Sequence, residues 1–147
     1  MFSVATLSRA RRRVVIPTPV CAELLTVIGP DAQQYIEIVS QSRSFEIAPF
    51  DNKCAIELAV LNRTVFSEGD KKNQLEPYQR IKIDRQIVAI CKASGVEDLY
   101  TDDSGLTGRA VMCGINVIHS WDLPIPPTAI QGRLALEQHG SLPEAEA

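Results

Sequence analysis

Three features of the chain predict an α/β sandwich built on a mainly parallel sheet. Short apolar runs alternate with segments of helical periodicity, most helical segments close on glycine or proline, and acidic residues follow directly on a strand end. The runs are Val14-Val15-Ile16, Phe45-Glu46-Ile47-Ala48, Leu99-Tyr100-Thr101 and Ile115-Asn116-Val117-Ile118. Each is too short for a helix and rich in β-branched or aromatic residues.

Val14-Val15-Ile16 is stopped by Pro17; Thr18 can then cap a helix with Pro19 in its first turn. Val20, Leu24, Val27 and Ile28 make an apolar stripe that Gly29-Pro30 ends, and Glu23 falls on that stripe. Asp31 opens a second helix carrying Tyr35, Ile36, Ile38 and Val39 to near Ser42. After the strand 45–48, a turn over 49–52 leads into a helix bearing Cys54, Ile56, Leu58, Leu61 and Val65. Residues 67–77 are polar and predict an exposed loop. The stretch 82–104 reads as a helix, a glycine stop at Gly95, a strand, and the pair Asp102-Asp103. Asp84 precedes Ile87, Val88 and Cys91 by three, four and seven residues, so it shares their apolar stripe. A helix over 105–113, with Leu106, Ala110 and Val111 inward, is stopped by Gly114 before the last strand. Residues 1–127 form one domain on this reading, and 128–147 a tail with at most one weak helix.

At 147 residues the chain is long enough to bury about 68–70% of its unfolded surface on one core. A net charge of −3 argues against broad charge-driven nucleic-acid binding and leaves room for a local basic rim. Cys21, Cys54, Cys91 and Cys113 show no metal-ligand spacing and no disulfide framework, which points to a reducing, cytoplasmic compartment. No apolar run reaches the roughly 18 residues of a membrane span. Residues 1–22 are basic through Arg9, Arg11, Arg12 and Arg13 and contain no acid. That is the composition of a transit peptide, but the core strand beginning at Val14 favours an ordinary basic helix end or loop.

Glu23, Asp84 and the Asp102-Asp103 pair invite a common explanation, because ligands of α/β folds sit where strands end and helices begin. Carboxylates about 4 Å apart repel by roughly 4 kcal/mol per pair at an effective dielectric of 20, so a cluster needs neutralising. Proton sharing with raised pKa values is one solution; Mg²⁺ or Mn²⁺, which take oxygen ligands, is another and supports phosphodiester cleavage. Simpler explanations stand beside these: Asp84 as a helix N-terminal charge, and Asp102 or Asp103 as a cap before Ser104. Glu23, within the second turn, gains less from a helix end.

The ordered segments V-V-I-P-T-P-V-C-A-E-L-L, K-I-D-R-Q-I-V-A-I-C-K-A-S-G and L-Y-T-D-D-S-G-L, followed by G-I-N-V-I, resemble the PIN-domain family, especially the VapC-like toxins of toxin-antitoxin pairs. The resemblance covers residues 14–127. It implies a three-layer α/β/α sandwich, Mg²⁺- or Mn²⁺-dependent ribonuclease activity, homodimerisation and silencing by an antitoxin protein. By motif, Glu23, Asp84 and Asp103 are the implied catalytic and metal-binding acids. Asp102 is a weaker fourth, and Thr101 is a residue that orients them. Arg13 and Arg85 are the foremost candidates for RNA phosphates, beside Arg9, Arg11, Arg12 and Arg109; Tyr100 and Trp121 are the few aromatic candidates for base stacking.

The family pattern begins with a central strand that supplies a first metal-binding aspartate, and this chain has no such element. An N-terminally truncated chain is the simplest expectation. A sheet without its central strand would keep unpaired edges and a cavity, giving low stability and weak or no nuclease activity. The alternative function is a degenerate, non-catalytic PIN-like module that binds an antitoxin or another protomer. A receiver-type domain fits less well, since no phosphoacceptor aspartate with a later lysine is visible.

Overall fold

The computed structural model describes residues 13–66 and 78–124. The expectations for Arg9, Arg11, Arg12, the loop 67–77 and the tail 128–147 lie outside those residues. The described chain is α/β and mostly helical, in the order β1 (Val14–Pro17), α1 (Thr18–Ile28), α2 (Ala32–Gln41), β2 (Phe45–Ala48), α3 (Asn52–Thr64), α4 (Tyr78–Ala93), β3 (Asp98–Tyr100), α5 (Ser104–Met112) and β4 (Asn116–Ile118). Short 3-10 turns follow α1 at Gly29–Asp31 and β4 at Ser120–Asp122.

The strands pair in parallel, as expected, but they form two separate pairs instead of one continuous sheet. β1 pairs with β2 in the register Val14 to Phe45 through Pro17 to Ala48. β3 pairs with β4 from Asp98 with Asn116 to Tyr100 with Ile118. Among the described residues β1 and β3 are each paired along one edge only.

Helix α4 is the centre of the core. Ile87, Val88, Ala89, Ile90 and Cys91 are all buried, the middle three completely. On one side they meet Leu61, Phe66, Leu106, Ala110, Cys113 and Ile115. On the other, Ile90 joins Ala48 and Cys54, with Val15 and Phe50 packed alongside. An apolar stripe has become a helix buried around much of its circumference, because α3 and α5 both pack against it.

Both glycine stops work as the sequence suggests. At Gly95, φ +68°, the Val96 N–H reaches the Cys91 carbonyl and the Gly95 N–H that of Lys92. At Gly114, φ +73°, Ile115 and Gly114 donate in the same way to Ala110 and Val111. These Schellman closures satisfy the last helical carbonyls and turn the chain at once into β3 and β4. Asp51, Oδ1 to the Cys54 N–H at 2.9 Å, caps α3.

Several local expectations fail. Thr18 does not cap α1, whose N-cap position is Pro17 with no side-chain hydrogen bond, and Val111 of α5 is exposed, not inward. Helix α4 begins at Tyr78, so Asp84 lies well inside it and the helix-end explanation for that carboxylate no longer holds. The α1 stripe was expected to face the core, yet α1 has no buried residue; Val20, Leu24 and Val27 are exposed, as is Glu23. The stripe is amphipathic, but too little of the described chain packs over it to bury it.

Candidate functional site

Between the two strand pairs lies a cavity of about 1210 Å³. Its walls are β1 and β3, one side of α4 through Ile83, Asp84 and Ile87, and the start of α1 through Val20 and Glu23. Thr101, Asp103 and Leu106 complete the wall beyond β3. Glu23, Asp84 and Asp103, far apart in sequence, therefore face one space, with Thr101 beside them. Asp102 does not line it.

Each acid has a different environment. Asp84 is buried in the stripe between Ile81 and Ile87 and accepts a hydrogen bond from Arg109 Nη1 at 2.6 Å, with the two side chains only 8% and 5% exposed. A buried carboxylate carries a desolvation penalty of several kcal/mol, roughly, and the guanidinium offsets it by charge and hydrogen bonding. Asp103 caps α5, its Oδ1 accepting from the Leu106 N–H at 2.9 Å while Oδ2 is paired with Arg80. The Leu106 N–H first, and Arg80 after it, hold the Asp103 carboxyl below the usual carboxylate range. The simple cap and the cavity position are both true of this residue. Thr101 Oγ1 accepts from the Asp103 N–H at 3.2 Å and so fixes the turn that presents it.

Asp102 turns the other way. Its Oδ1 accepts from the Ser120 N–H at 2.7 Å, and hydrogen bonding from Ser120, more than the nearby His119, lowers its pKa. It ties the end of β3 to the turn after β4. His119 Nδ1 also meets the Thr101 carbonyl at 2.7 Å, and its ring stacks on exposed Trp121 with centroids 4.4 Å apart.

Of the described arginines expected at RNA, Arg13 shares the cavity of the acids, Arg109 is bound to Asp84, and Arg85 lies elsewhere. Arg13 lines the cavity at the start of β1, where its Nη1 meets Glu46 Oε2 at 2.8 Å. Arg85 donates to Asn62 Oδ1 at 3.0 Å, lies over the Phe66 ring, and borders a second, smaller hollow. Arg109 is buried on Asp84 and unavailable to a phosphate. Its position carried a signal that the sequence reading missed: it follows Leu106 by three residues and so shares the inward face of α5. Arg80, the counter-ion of Asp103, had no comparable signal, because the pairing spans two helices and a strand.

The oxygen donors suit a hard cation in kind but not in position. Among the described residues no three His, Cys, Asp or Glu side chains come together as a metal-binding group. In this arrangement two cavity acids are matched with guanidinium groups, and no mechanistic step can be drawn through a metal. No family model, curated protein or solved structure matches the chain.

Proposed function

We propose that the chain is a PIN-like module of the toxin class, in which Glu23, Asp84 and Asp103 form the acidic site of a Mg²⁺- or Mn²⁺-dependent endoribonuclease. The observation that carries this reading is the shared cavity: three acids from α1, α4 and the turn before α5 face one space between parallel strand pairs. In this reading the layers are α/β/α and the two parallel strand pairs belong to one sheet. RNA is the substrate, Arg13 and Arg85 are contacts outside the acid group, and Asp102 and Thr101 support the turn that carries Asp103. The exposed apolar residues of α1 and α2, Leu24, Val27, Tyr35 and Ile38, support association with a second protomer or an antitoxin. A cytoplasmic setting belongs to the same proposal.

The arginine partners of Asp84 and Asp103 favour the second reading, a non-catalytic binding module, for the chain in this conformation. One experiment separates the two. The melting temperature and cleavage of labelled RNA are followed with and without Mn²⁺ in the wild type, Glu23→Gln and Asp84→Asn. A catalytic module gains both stability and cleavage from Mn²⁺, and both gains shrink in the variants. Glu23→Gln is the cleaner variant because Glu23 is exposed and its replacement spares the core. If Mn²⁺ changes neither quantity, the nuclease reading fails and the binding module stands.

A further inference from the structure

We propose that Arg80 holds the acid group closed to a divalent cation: on Asp103 the guanidinium and the cation are alternative partners, and release of Arg80 opens the site. The inference rests on the nuclease reading for the identity of the competitor, and it accounts for donors that suit a hard cation in kind but not in position. Both oxygens of Asp103 are committed, Oδ1 to the Leu106 N–H at 2.9 Å and Oδ2 to Arg80. The first bond is the cap of α5 and stays within one turn. The second reaches across from the first turn of α4, where Arg80 stands four residues before Asp84 and so on the same cavity-lining face. Oδ2 is therefore the oxygen that a cation must win, and a guanidinium on it repels any cation that approaches.

The two arginine pairs differ in how easily they part. Asp84 and Arg109 are both buried, so separating them strands charge in the core. The side chains of Asp103 and Arg80 are 28% and 56% exposed, and water can solvate both when they separate. The first pair is permanent structure, and the second can act as a latch. Charge points the same way. Within the described residues two of Glu23, Asp84 and Asp103 are matched by guanidinium groups, which leaves one negative charge in excess on the three. Without Arg80 the excess is two, which equals the charge of Mn²⁺ or Mg²⁺.

The test is calorimetric titration of Mn²⁺ into the full chain, with no RNA present, for the wild type, Arg80→Gln, Arg80→Lys and Arg63→Gln. Arg63 lies exposed in the last turn of α3 and does not line the cavity, so its loss removes the same charge elsewhere. Arg80→Gln is expected to bind Mn²⁺ about tenfold tighter than the wild type and Arg63→Gln, and addition of Asp103→Asn to abolish the gain. Arg80→Lys keeps the charge without the planar fork and is expected to fall between. An Arg80→Gln affinity no greater than that of Arg63→Gln, or a gain that survives Asp103→Asn, overturns the proposal. Should Arg80→Gln fail to fold, a lysine variant that binds no tighter than the wild type overturns it as well. Failure here is separable from failure of the nuclease reading. Mn²⁺-dependent RNA cleavage by the wild type, with no gain in Arg80→Gln, sinks the latch alone. Tighter Mn²⁺ binding by an Arg80→Gln chain that cuts no RNA supports the latch and sinks the nuclease.

Discussion

The first half of the described chain, β1 through β2, and the second, α3 through β4, are built from similar sequence patterns and reach different packing. Helices α1 and α2 have no buried residue, whereas α4 buries Ile81, Asp84, Ile87, Val88, Ala89, Ile90 and Cys91. Val27, on the α1 stripe, is 86% exposed; Val88, on the α4 stripe, is 0% exposed. Periodicity states which face of a helix can be buried. Whether it is buried depends on what else arrives to cover it, and here α3 and α5 cover α4 while the described chain offers no such layer to α1.

The contrast can be broken most sharply at Asp84. Leucine at Asp84 or at Arg109 breaks the buried ion pair from one side, with an expected loss of up to about 3–5 kcal/mol, whereas leucine at both restores much of it. Urea denaturation of the two single variants and the double variant measures this, and additive losses would show that the pair does not act as a unit. Core truncation comes next. Leu61→Ala is expected to cost about 2–5 kcal/mol and the half-exposed Leu24→Ala about 0.5 kcal/mol or less. Amide exchange sharpens the same comparison without mutation: α4 amides should exchange only with global unfolding, and those of α1 and α2 through smaller openings.

A smaller effect belongs to Asp103. Its replacement by alanine removes the α5 cap and should cost about 1 kcal/mol. The folded-state pKa of Asp103 is lowered, so its contribution is fully present above the unfolded carboxylate value and is lost as pH falls through the lower folded value. Acid titration of stability should therefore be shallower for Asp103→Asn than for the wild type. The least effect on stability, though a clear one on kinetics, concerns thiols. Burial pushes the Cys91 thiol up to about 11, so the partly exposed Cys21 should react with a maleimide in the native protein and Cys91 only on unfolding.

Much of this architecture was legible in the sequence because it is local. Pro17, Gly95 and Gly114 mark element ends through backbone constraints that act within a few residues, and the strands at 45–48 and 116–118 announce themselves by composition. Asp84 was correctly placed on an inward stripe and Asp103 at the junction of β3 and α5, and both face the space that Glu23 also lines. The division of the sheet into two pairs was not legible, because strand segments show in composition while their pairing depends on what packs between them. What could not be read was the choice of counter-ion. Arg80 and Arg109 meet their carboxylates across 23 and 25 residues of chain, a relation set by helix packing and not by spacing. The exposure of the α1 stripe was hidden for the converse reason: its sequence is that of a core helix.

Two surface lysines also reach backbone carbonyls at chain reversals. Lys53 Nζ donates to the Ala93 carbonyl at the end of α4, and Lys92 Nζ to the Cys113 carbonyl just past α5 at 3.2 Å. Each ammonium meets a carbonyl at the negative pole of a helix, where a cation is favoured. Acylation of these lysines would remove the counter-charge from both helix ends and is expected to weaken the connections into β3 and β4 by roughly 0.3–1 kcal/mol each. Side-chain chemistry at the surface is thus coupled to the packing of the best-buried helix.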